Sequence, residues 1–167
     1  MTGVQTCALP ICFDALLAKA EHTPDPLEKL HIFRALADVN DPDLARRMVD
    51  IALGNQVPAG SAPALIAVLA SKHADMVWQM LAPRLDDPSL PFEKTLRWRM
   101  AASIAGYSAD PARIADLEAY EAASVPPEAR KPFLSAVASI RRNQRFTGTV
   151  LPQIDQWIAG RAPAAGL

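Results

Sequence analysis

Three histidines, two cysteines and a few clustered charges are the residues of this 167-residue chain whose types could do chemistry. His22, His31 and His73 have no metal-ligand partner at helical spacing, and no HExxH is present, so a zinc site of the kind two histidines make on one helix face is not expected. His31 shares a helical face with Arg34 and Asp38, which reads as a solvated surface. Cys7 and Cys12 do not form CxxC. Asp86 and Asp87 are adjacent in a segment that reads as a loop, and a general acid–base pair needs carboxylates held apart in fixed positions. The seven glycines are scattered rather than gathered into a phosphate-cradling loop. Arg141, Arg142 and Arg145 form a short basic run without interleaved aromatics, and cations are favoured at a helix C-terminus. No catalytic or metal-binding residue is therefore expected.

Arg99 breaks its local pattern. It lies three residues after Leu96 and seven after Phe92, on what reads as the apolar stripe of Phe92, Leu96 and Met100. A guanidinium there must snorkel, pair with a carboxylate or face a solvent-filled cavity, because a buried unpaired charge is too costly to persist. Asp116 and Glu118 are the nearest acidic candidates. Arg97, four residues after Glu93, reads as an ordinary surface pair.

The elements that would position these groups read as helices. Asp-Pro recurs at 25–26, 41–42, 87–88 and 110–111. Aspartate accepts the orphan amides of a first helical turn, and proline lacks only an N–H that has no partner there. Helices are expected over Phe13–Glu21, Pro26–Val39, Pro42–Leu53, Ala62–Lys72, Ala74–Leu85, Leu90–Ala105, Pro111–Ala122, Pro126–Phe146 and Leu151–Ala159. Ser89 is expected to cap the sixth, Pro83 to kink or shorten the fifth, and Gly148 to break the chain before the last. No period-2 alternation or hairpin turn indicates a strand. Short helices with short connections imply stacked antiparallel hairpins. The fold class is all-α, a right-handed superhelix of helical hairpins of the HEAT or armadillo kind.

Seventeen basic and 18 acidic residues give a net charge of −1, so no electrostatic drive toward nucleic acid or anionic membrane is expected. The longest apolar run, Ala62–Ala70, is far short of the ~20 residues of a membrane span.

Four stretches together resemble the C-terminal helical domain of the aminopeptidase N family, which includes the puromycin-sensitive and endoplasmic-reticulum aminopeptidases. They are EKLHIFRALADVNDPDLARRMVDIALGNQV (Glu28–Val57), MVWQMLAPRLDDP (Met76–Pro88), ASIAGYSADPARIADLEAYEA (Ala102–Ala122) and IRRNQRFTGTVLPQIDQWIAG (Ile140–Gly160). The segment at Met76 lacks the family's second aromatic, and Gly148 and Pro152 interrupt the last stretch. Residues 1–11, MTGVQTCALPI, resemble a translated sequencing adapter. The native chain is accordingly expected to begin near Cys12 or Phe13, with 1–12 a leader, 13–160 the helical domain and 161–167 a frayed tail.

The resemblance implies a non-catalytic lid that encloses the chamber of a zinc aminopeptidase and helps select peptide substrates. Zinc belongs to the parent enzyme and not to this chain. The implied partners are an upstream catalytic domain of the same polypeptide and the peptide itself. A bacterial-type parent favours the cytoplasm. Arg99 is the one substrate-binding candidate, a cation placed to attract a peptide's terminal carboxylate. The alternative is a free-standing helical-repeat scaffold that binds a protein partner on its concave face.

Overall fold

A computed structural model describes residues 10–58, 60–88, 90 and 92–161. Every regular element among them is helical: α1 (Pro10–His22), α2 (Pro26–Ala37), α3 (Pro42–Leu53), α4 (Ala62–Leu81), α5 (Lys94–Gly106), α6 (Ala112–Ser124), α7 (Lys131–Arg145) and α8 (Leu151–Ala159). Short 3-10 turns lie at Ala82–Arg84 and Pro127–Ala129, and a π turn at Phe146–Val150. The chain divides into two compact units at Ile104/Ala105. Residues 1–9 of the expected leader, 162–167 of the expected tail, and the capping Ser89 lie outside the described residues.

In the first unit, the Asp-Pro starts behave as their chemistry dictates. Asp25 accepts from the Leu27 amide at 3.0 Å, and Asp41 accepts from Asp43 and Leu44 at 2.9 and 3.0 Å. Helix α1 packs on α2 and α3 on α4. Phe13, Phe33, Met48, Leu65, Ile66 and Leu69 are fully buried between them. Burying each such side chain contributes ~1.5–3 kcal/mol.

The two helices expected over Ala62–Lys72 and Ala74–Leu85 are joined into α4, with non-helical dihedrals at His73 (φ −129°, ψ 41°). The kink falls at the expected break and has a visible purpose. Lys72 Nζ bonds the Asp38 carbonyl at 2.7 Å and its carboxylate at 2.8 Å, and His73 Nε2 lies 2.9 Å from the Val39 carbonyl. Both side chains thereby pin the turn between α2 and α3. Pro83 falls in the 3-10 turn, as a residue that cannot continue an α-helix should.

Helix α5 starts at Lys94, not at Leu90. Phe92 therefore precedes the helix, and a stripe counted from it has the wrong phase. Thr95, Arg99 and Ser103, spaced by four, are all exposed, whereas Met100, Ala101, Ile104 and Ala105 are buried.

In the second unit α6 packs on α7, with Leu117, Phe133 and Ile140 buried and the Tyr120 and Phe133 rings stacked at 6.3 Å. The expected break at Gly148 does not occur. Backbone from Arg145 through Leu151 keeps right-handed helical dihedrals at the residues flanking the π turn. Pro152 has no N–H to give the Gly148 carbonyl, and its ring crowds that oxygen. The chain relieves the conflict by widening: Leu151 N–H donates five residues back to Phe146, and α8 continues.

Candidate functional site

The arginine singled out in the sequence, Arg99, is exposed on α5. This corrects its expected place on the apolar stripe, and the reason is the late start of the helix. An exposed guanidinium needs no buried carboxylate. Asp116, one of the two acidic residues expected to pair with it, instead bonds Arg113 Nη1.

Two other arginines take the structural roles. Arg97 does not act as a simple surface partner of Glu93. It is half-buried, and its Nε donates to the Phe92 carbonyl at 2.7 Å, Nη1 to the Asp87 carbonyl at 2.6 Å, and Nη2 to the Leu90 carbonyl at 3.2 Å. One planar fork thus satisfies three carbonyls of the irregular segment ahead of α5, a task for which its donor geometry is suited. Arg113 is buried, with only 7% of its surface exposed. Asp116 and Asp110 flank its guanidinium, the latter at 3.6 Å. The charge is compensated, and it fastens the start of α6.

The turn from α5 to α6 is closed from a distance. Asn143 on α7 donates to the carbonyls of Gly106 and Ser108, each at 3.1 Å. Ser108 Oγ accepts from the Asp110 amide, and Asp110 accepts from the Ala112 amide, both at 2.9 Å. Gly106 lies beside Ala136 of α7, where a Cβ would stand 3.6 Å away in ordinary van der Waals contact. Asn143 therefore helps to cap the end of another helix, α5. Nothing in local periodicity signals this, because its partners are 35 and 37 residues away.

A concave feature of the first unit lies at the end of the α3–α4 hairpin. A cavity of about 410 Å³ is bounded by Val57, Pro58, Ala62, Pro63, Phe92 and Leu96, with Gly54, Asn55 and Gly60 also on its wall. Gly60 turns the chain with φ +77°, a conformation that a residue with a Cβ adopts only with strain. No charged side chain lines the cavity among the described residues.

No family model, curated protein or solved structure matches the chain.

The histidines stay apart. His22 Nδ1 lies 2.7 Å from the Ala18 carbonyl of its own helix. His31 is exposed, and His73 is engaged by Val39. Among the described residues, no three of His, Cys, Asp and Glu gather where they could hold a metal ion. Arg141, Arg142 and Arg145 are exposed on the last turns of α7, a solvated face, although the helix continues past them through the π turn. Among the described residues no helix is long and apolar enough to cross a membrane.

Proposed function

We propose that the chain is the non-catalytic lid of a zinc aminopeptidase, a superhelix of hairpins that encloses the chamber and takes part in peptide selection. The order in which the resembling stretches fall on helix–turn–helix units carries this proposal. Glu28–Val57 covers the α2–α3 hairpin through its closing turn. Met76–Pro88 covers α4 beyond its kink and the 3-10 turn. Ala102–Ala122 runs from the end of α5 through α6, and Ile140–Gly160 from the end of α7 through α8. Catalysis and zinc reside in an upstream domain of the same polypeptide. Arg99, exposed and without an ion pair seen among the described residues, is available to a peptide carboxylate.

The test uses the intact polypeptide. Arg99→Met should weaken turnover of longer peptides with a free C-terminus severalfold and leave a single-residue alanyl anilide unchanged. The exposed position leaves the melting temperature within a degree or so. Unchanged kinetics on both substrate classes would remove Arg99 from peptide selection.

The alternative role is a helical-repeat scaffold binding a protein partner, favoured by the uncovered apolar face of α8.

A further inference from the structure

We draw no further inference here: the strongest candidate, the exposed apolar stripe of Leu151, Ile154, Trp157 and Ile158 along α8, carries nothing because nothing in the structure shows what covers it.

Discussion

Helices α3 and α8 carry the same kind of signal and meet opposite fates. Both are amphipathic, and each opens beside a proline. Helix α3 buries Leu44, Ala45, Met48, Val49, Ile51 and Ala52, whereas α8 buries none of its residues. The difference lies in neighbours. Helix α3 is followed by an eight-residue connection, 54–61, that returns the chain as α4, and the two helices pack on each other. Helix α8 follows α7 directly through the π turn, and among the described residues no later helix returns over it. Periodicity identifies which face of a helix is apolar. Connectivity decides whether that face finds cover within one chain.

Removing a side chain from the covered region should cost most. Phe33 is fully buried on α2, and Phe33→Ala should destabilise the chain by about 3–5 kcal/mol through lost burial and the cavity left behind. Denaturant unfolding measures this, and a loss under ~1 kcal/mol would mean that the α2 stripe is not a packed core.

An intermediate cost is expected where a single polar side chain holds a turn. Asn143→Ala removes both donors to the Gly106 and Ser108 carbonyls. Leaving part-buried acceptors without them should cost about 1–3 kcal/mol. Hydrogen exchange should quicken first in the 106–113 turn. Uniform quickening across the chain would contradict a local role for Asn143.

The smallest effect belongs to the uncovered face. Trp157 is 58% exposed, and its ring lies 4.1 Å from the Arg161 guanidinium. Trp157→Ala should change the stability of the monomer, measured at sub-micromolar concentration, by no more than ~0.5 kcal/mol. An exposed cation–π contact is weak, and alanine favours the helix. A loss as large as that of Phe33→Ala would show that α8 is packed in the single chain.

The helices were legible where local chemistry governs them. Asp25 and Asp41 bond the amides of the turns they open, as capping aspartates must. Even the break inside α4 falls at His73, between the two helices expected there. Reading failed where distant or backbone partners decide. Arg97 and Arg99 differ by two positions, yet the first is taken up by three carbonyls and the second is exposed. The irregular segment before α5 made that choice by delaying the start of the helix. Asn143 acts across more than 30 residues, and no window of sequence contains both it and its acceptors. Gly148 looked like a stop, but a π turn absorbs the strain at Pro152 and carries the helix on. The candidate site was least legible of all, because the cavity beside Val57 and Phe92 is assembled from a loop and two helix ends.

The proposed role as an aminopeptidase lid makes a direct demand on the gene. Long-read sequencing of the intact transcript should show an open frame running upstream of Phe13, in place of residues 1–11, into a domain with HExxH and a downstream glutamate ligand. A native start near Phe13, or an upstream frame without that zinc motif, would contradict the lid and leave the helical scaffold in its place.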